Sequence, residues 1–303
     1  MHYMRVYRIL KRNLKKRSLL AVISRNTTFL PYLAKLTRKY NIKTYFEAHD
    51  FYADLTVRDD VSVRKKHRYS QIEKKYIPLI SGIICLQNSQ KTWYQRTFPQ
   101  QTVFVARTGI DTIHRYPFHN RRSICYIGSF DPHKGLDTLL EALKYSQTKP
   151  HLFIIGGKNE VEIVALQKLI SALYDHSRVT LTGWVNKDHL NTYLKQTAIG
   201  ILPLKDTFFN RFITSPLKLF DYYSYGIPVV ASDLPTTREL IQENETGLFF
   251  QCDNSKDLAQ KIDYLISNRK IMENMNRHIY HFAENFLWKH RAQSIIDTIT
   301  HIK

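Results

Sequence analysis

The chain has 303 residues, 43% of them hydrophobic, three cysteines and a formal net charge of +19. That length suits two domains of ordinary size, each burying its own core, and the composition is that of a soluble globular protein. The longest apolar run, Ile77 to Leu86, is broken by Ser81 and Gly82 and is too short to span a membrane, and Leu19 to Ile23 is too short for a signal-peptide core. Cys85, Cys125 and Cys252 are scattered and form no C-x-x-C pair. A reducing, cytoplasmic compartment fits them; a zinc site or disulfide frame does not.

The charge is unequally shared. Residues 1–120 carry 23 Lys and Arg against 7 Asp and Glu, a net of +16, whereas residues 121–303 carry 22 against 19, a net of +3. A basic half of this kind attracts nucleic acid, anionic lipid or acidic ligands.

In chain order, Met1 to Arg17 reads as a helix with Tyr3, Val6, Tyr7, Leu10 and Leu14 on one stripe and basic residues elsewhere. It either docks on its own domain or lies on an anionic membrane surface. Ser18 to Arg25 is strand-like, Phe29 to Tyr40 helical, and Lys43 to Ala48 a strand that runs into His49-Asp50. Arg58 to Ile77 is a helix, Leu79 to Leu86 a buried strand, Asn88 to Thr97 a helix and Thr102 to Ala106 a strand. His114 to Arg122 is turn-rich and reads as a linker. A second alternation follows, with strands at 123–128, 152–155, 179–182 and 199–202. Its helices fall at 136–145, 160–174 and 190–195, and two closing helices at 255–267 and 269–286. Strands alternating with helices predict parallel, doubly wound sheets with ligands at the C-terminal strand ends.

Phe212 to Pro235 is the densest stretch. Ser215 suits an N-cap, Pro216 the first helical position, and Gly226 the C-terminal stop before the buried strand Ile227 to Ala231. The helix start offers free N–H groups and a partial positive charge to an anion, with Leu217 and Lys218 in its first turn. Asp221, one turn on, could accept hydrogen bonds from hydroxyls. Together these suit a nucleotide sugar. An ordinary surface helix with an i,i+3 Lys–Asp pair fits the same letters. Earlier, Gly128-Ser129-Phe130-Asp131-Pro132-His133-Lys134-Gly135 joins a strand to a helix, so Gly128 could admit a ligand and Lys134 could meet a phosphate, or the turn could be plain.

Taken in order, G-S-F-x-x-x-K-G, I-I-G-G, L-T-G-W-V, S-P-L-K-L-F-D-Y and G-I-P-V-V-A-S-D-L-P resemble family 4 of the GT-B-fold glycosyltransferases across about residues 121–303. Phe286-Leu287-Trp288 is similar to that family's segment crossing back to the first domain. The resemblance implies an α/β GT-B protein with two Rossmann-like doubly wound domains facing a cleft, the first one incomplete. The expected divisions are an acceptor-side domain over 1–113, a linker over 114–122, a nucleotide-sugar domain over 123–285 and a returning helix over 286–303. It implies a retaining enzyme that moves a sugar from a nucleotide diphosphate to a glycan or lipid-linked acceptor in cell-surface polysaccharide or lipopolysaccharide synthesis. Such an enzyme would be cytoplasmic, and the basic first half suits a peripheral position on the membrane's cytoplasmic face.

Carried over by position, Gly128, Ser129, Lys134 and Gly157 would line the donor's diphosphate and Gly183, Trp184 and Val185 its base. Ser215, Pro216, Leu217 and Lys218 would grip the phosphates. Asp221 stands where the family usually has Glu, and His49 resembles the cleft histidine that touches the sugar. Three departures stand out. Ser129 replaces a common Arg, Ile213 occupies the place of the second acid, and the first domain looks short. No D-x-D occurs, and Asp59-Asp60 reads as a solvated pair, so neither a metal nor a cofactor beyond the donor is expected. A nucleic-acid partner is not expected either, since no helix-turn-helix, ribonucleoprotein or zinc-finger signature accompanies the basic half. A donor-binding remnant without catalysis remains the alternative.

Overall fold

The computed structural model describes residues 2–14, 19–52, 62–157, 159–173 and 175–301. The chain forms two compact units. One holds the residues up to Arg107, Phe212–Ser215 and those from Arg291; the other holds Thr108–Arg211 and Pro216–His290.

The first unit runs α1 (His2–Leu14), β1 (Ala21–Ser24), α2 (Leu30–Tyr40), β2 (Lys43–Ala48), α3 (Val63–Tyr76), β3 (Gly82–Cys85), α4 (Asn88–Thr97) and β4 (Val103–Val105). Its strands are parallel in the order β1-β2-β3-β4. The strand expected from Leu79 starts later because Ile77-Pro78-Leu79 closes into a 3-10 turn. Asp59-Asp60 and the start expected for the third helix lie outside the described residues. α1 docks through its own aromatics, with Tyr3 against Phe29 at 6.0 Å and Tyr7 against Tyr32 at 5.4 Å. Met4, Arg5, Arg8, Ile9 and Arg12 are left exposed. From Arg291 the last helix, α13 (Trp288–His301), contributes Ile295 and Ile299 to a core with Tyr45, Ile84 and Ala106.

The second unit begins with β5 (Ser123–Ile127), α5 (Leu136–Tyr145), β6 (Leu152–Ile155), α6 (Glu160–Leu173), β7 (Val179–Gly183), α7 (Lys187–Leu194) and β8 (Thr197–Leu202). It continues through α8 (Phe208–Phe212), α9 (Leu217–Ser224), β9 (Val229–Ser232), α10 (Pro235–Arg238), β10 (Gly247–Phe250), α11 (Ser255–Ser267) and α12 (Arg269–Glu284). Six parallel strands lie in the order β10-β9-β8-β5-β6-β7. Every residue of β6, β8, β9 and β10 is buried, the signature of strands covered by helices on both faces. The strand order reverses between β5 and β8, which opens the crevice where open α/β sheets bind ligands. Residues 114–122, expected as a linker, group with this unit. Arg121 among them is fully buried and donates to the Tyr225 carbonyl at 2.8 Å. No helix among the described residues is long and apolar enough to cross a membrane.

Candidate active site

α9 follows β8 beyond the switch point, and its two ends differ in how well they follow the sequence expectation. Its C-terminus closes as a Schellman motif: Ile227 N donates to Tyr222 O and Gly226 N to Tyr223 O, both at 3.0 Å, with Gly226 at φ 62°. Its N-terminus is a correction. Ser215 does not cap it; Pro216 occupies the N-cap position at ψ 100° without a side-chain bond, and the helix starts at Leu217. The Thr214 carbonyl is taken by Gln87 Nε2 at 3.1 Å, and Pro216 itself is extended. Ser215 and the buried Ile213 belong to the first unit.

α9 is not a surface helix. Lys218, Leu219, Phe220, Tyr222 and Tyr223 are all buried. Nor do Lys218 and Asp221 pair, because they serve different spaces.

Lys218 points toward β5. Its ammonium nitrogen is enclosed, has no hydrogen-bond partner among the described residues, and sits 3.7 Å from the centre of the Tyr126 ring. A side chain at Gly128 would come within 3.1 Å of that nitrogen, and Gly128 holds φ 144°, so only glycine leaves the amine its place. Burial, with the charge of Lys134 adding to it, pushes the Lys218 amine down to about 7. The turn below is tied together. Tyr126 Oη donates to Ser129 O at 2.6 Å, Ser129 Oγ donates to Asp131 at 2.7 Å, and Asp131 precedes the 3-10 turn that carries Lys134. Ser129 therefore turns its hydroxyl to its own loop.

The neighbouring strand ends are joined through backbone alone. Gly128 N donates to Ile155 O at 2.9 Å and Gly156 N to Gly183 O at 2.8 Å. A side chain at Gly156 would strike the Gly128 carbonyl. Gly157 follows against the Phe130 ring, and Gly183 ends β7. Beyond it Val185 packs on the core while Trp184 is 79% exposed.

Asp221 faces a separate cavity of about 270 Å³ lined by Thr108, Asp111, Lys187, Leu217 and Trp288 among others. Burial pushes its carboxyl up to about 6; Lys187 opposes that rise and Asp111 adds to it.

In the first unit, His49 follows β2, and its Nε2 bonds to Glu47 Oε1 at 2.7 Å. The structure thus gathers Gly128, Lys218 and the charge of Lys134 at the switch point of one sheet, with Gly157 and Gly183 along its rim. Asp221 and Leu217 line an adjoining cavity of that unit. Tyr126, Lys187 and Asp111 escaped sequence reasoning. Only Tyr126 carried a signal, two residues before Gly128 and so on the same strand face.

Two units each built on a parallel sheet with helices on both faces define a GT-B fold, the architecture of many glycosyltransferases. The crystal structure of Anabaena HepE in complex with UDP superposes with a TM-score of 0.78 over 98% of this chain and 82% of that one, at 14% identity. Residues 121–268 match the family model described as Glycosyl transferases group 1. Among curated relatives, an uncharacterized 41.2 kDa protein in the cps region of Klebsiella pneumoniae is 24% identical over 160 residues, covering 53% of this chain and 37% of that protein. The alpha-D-kanosaminyltransferase of Streptomyces kanamyceticus is 23% identical over 163 residues, covering 53% and 40%. The aligned part thus spans about two fifths of those relatives' length.

Proposed function

We propose that the protein is a retaining, family 4 glycosyltransferase that takes a sugar from a nucleotide diphosphate and passes it to a glycan or lipid-linked acceptor in surface-polysaccharide synthesis. The observation that carries this reading is Lys218, a buried amine with no acceptor at the switch point, beside the glycine backbone of β5 and the charge of Lys134. A diphosphate supplies the missing acceptor. A neutral ligand would leave the buried Lys218 amine without a counter-charge. HepE was crystallised with UDP, and the Klebsiella relative lies in a cps region; both agree with this donor and this pathway class.

In this reading the rim at Gly183, Trp184 and Val185 meets the base, Asp221 accepts from donor hydroxyls, and His49 contacts the sugar. The leaving diphosphate gains charge as the glycosidic bond breaks. Lys218 and Lys134 stabilise that charge, and the phosphate helps take the acceptor's proton, so no protein nucleophile and no metal are required. The polysaccharide setting and the basic α1 support a place at the cytoplasmic membrane face.

The test is a panel of UDP-, GDP- and dTDP-sugars scored for binding and for nucleotide release, with and without chelator. Release with at least one donor, unaffected by chelator and cut about a hundredfold or more by Lys134→Ala or Lys218→Ala, is the expected result. Binding without release under any acceptor mixture would favour a donor-binding remnant, for which Ser129 and the buried Ile213 speak. No binding by any member would refute both readings.

A further inference from the structure

The residues around His49 are held more tightly than a half-exposed histidine needs for packing. His49 is 42% exposed, yet both carbonyls flanking it are pinned from below. Gln90, fully buried, donates through Nε2 to Ala48 O at 3.0 Å and to Asp50 O at 3.2 Å, while its own Oε1 accepts from Leu86 N at 3.0 Å. Tyr94 Oη, also buried, donates to Asp50 O at 2.9 Å. The backbone at this position is therefore fixed from the strand and helix behind it.

The side chain is fixed too. Glu47, two residues earlier on β2, takes His49 Nε2 at 2.7 Å and is itself held by Arg291 at 3.1 Å; Glu47 and Arg291 are 18% and 14% exposed. The His49 bond and Arg291 hold the Glu47 carboxyl down to about 2 against the opposing effect of burial, so it stays ionised at any working pH. An ionised carboxylate can only accept, so His49 Nε2 must carry the proton of this bond. In the neutral ring Nδ1 is then the acceptor nitrogen, the one able to take a hydrogen bond from a ligand hydroxyl.

We propose that Glu47, anchored by Arg291, is a positioning residue for transfer: it sets the orientation and the proton placement of His49 so that Nδ1 meets the donor sugar. The inference rests on the glycosyltransfer reading and adds to it a residue pair that acts only through His49. A carboxylate that merely tied the last helix to β2 would need no histidine, and His49 would need no carboxylate if it were only solvated.

A double-mutant cycle separates the two cases, using nucleotide release from whichever sugar of the panel the wild type turns over. Glu47→Gln, equal in size and uncharged, is expected to lower kcat/KM about tenfold with the fall in kcat, and to cost less than about twofold in a His49→Ala background. Glu47→Asp serves as a second variant: it keeps the charge for Arg291 but is one methylene too short for His49, and the same loss is expected. A readout that needs no turnover is carbethoxylation of His49 by diethyl pyrocarbonate, followed by peptide mass spectrometry. Release of Nε2 in Glu47→Gln should speed it about threefold or more. Equal losses in the wild-type and His49→Ala backgrounds, or an unchanged labelling rate, would overturn the positioning role while leaving the enzyme reading intact. A wild type that turns over no sugar donor sinks that reading, and the role of Glu47 in transfer with it.

Discussion

Lys218 predicts an unusual pH dependence for nucleotide binding. Its amine is pushed from 10.5 to about 7 by burial first and by Lys134 second, and Tyr126 offers only a ring face. In the empty site the amine is half charged near neutrality and mostly neutral above it. A bound diphosphate stabilises the charged form, so binding draws a proton onto Lys218 whenever the free site lacks one. If the complex keeps the amine charged up to about pH 10, raising the pH from about 7 to about 9 removes the charged fraction from about one half to about one hundredth. UDP should then bind about 50-fold more weakly, or by about 2.3 kcal/mol.

Isothermal titration with UDP measures this directly. In buffers of different ionisation enthalpy at about pH 8, the observed heats should report uptake of nearly one proton, and at about pH 6 almost none. Lys218→Met should abolish the uptake. The same amine acts on stability with the opposite benefit. Its folded value lies below its unfolded one, so between about pH 7 and 10.5 the unfolded chain binds more protons and stability rises with pH. The slope approaches about 1.4 kcal/mol per pH unit, and Lys218→Met should flatten it while raising Tm near neutrality. UDP affinity that is flat from pH 7 to about 9, with no proton uptake, would refute the account of this amine.

Asp221 gives the mirror case: its folded value, about 6, lies above the ordinary 3.8, so stability is fully present below pH 3.8 and is lost as pH rises through about 6. Asp221→Asn should therefore raise stability by up to about 3 kcal/mol at neutral pH and by nothing near pH 3, while weakening donor use; an equal gain at both pH values in chemical denaturation would refute this. On α1, changing exposed Arg5, Arg8 and Arg12 together to Gln should weaken binding to anionic vesicles on the order of a hundredfold, at about 1 kcal/mol per cation, without altering binding to neutral ones. Equal flotation of the wild type with neutral and anionic vesicles would remove the membrane role.

The fold was largely legible because its strands are short apolar runs between clear stops. Leu136–Tyr145, Leu152–Ile155 and Ser255–Ser267 were readable to the residue: Gly135 turns left-handed before the first, and the Asn254 side chain caps the last. α8 and α10 were missed, being single turns without periodicity. The site was half legible. Motif order singled out Gly128, Lys134 and Lys218, which lie together in the structure, while the alternative of a surface helix with a Lys218–Asp221 pair fails because the two side chains face different spaces. On an exposed helix, residues three apart meet over solvent; here each is captured by a different neighbour, Tyr126 on one side and the Lys187 cavity on the other. Ser215 failed as a cap because the helix starts at Leu217 and Pro216 takes the N-cap position, while Gln87 from far along the chain holds the Thr214 carbonyl. Tertiary partners of that kind leave no mark at short range.

α9 itself shows why such a site persists. Two turns of helix carry one amine and one carboxyl whose charged forms burial disfavours, and neither neutralises the other. The opposite face of the helix holds it in place regardless. Tyr222 Oη donates to Cys125 O at 2.8 Å, Tyr223 Oη to Leu240 O at 2.9 Å, and Arg121 and Tyr280 both reach the Tyr225 carbonyl. Anchors of this kind, buried on the other face of the helix, hold α9 in place although the Lys218 amine has no hydrogen-bond partner among the described residues. In the proposed reading the unfavourable burial of Lys218 would become affinity, because a bound diphosphate would relieve what the free protein bears alone. Replacing Lys218 by an apolar residue should for that reason improve the fold and impair the site at once, a pairing that neither a plain packing role nor a surface role for this lysine would produce.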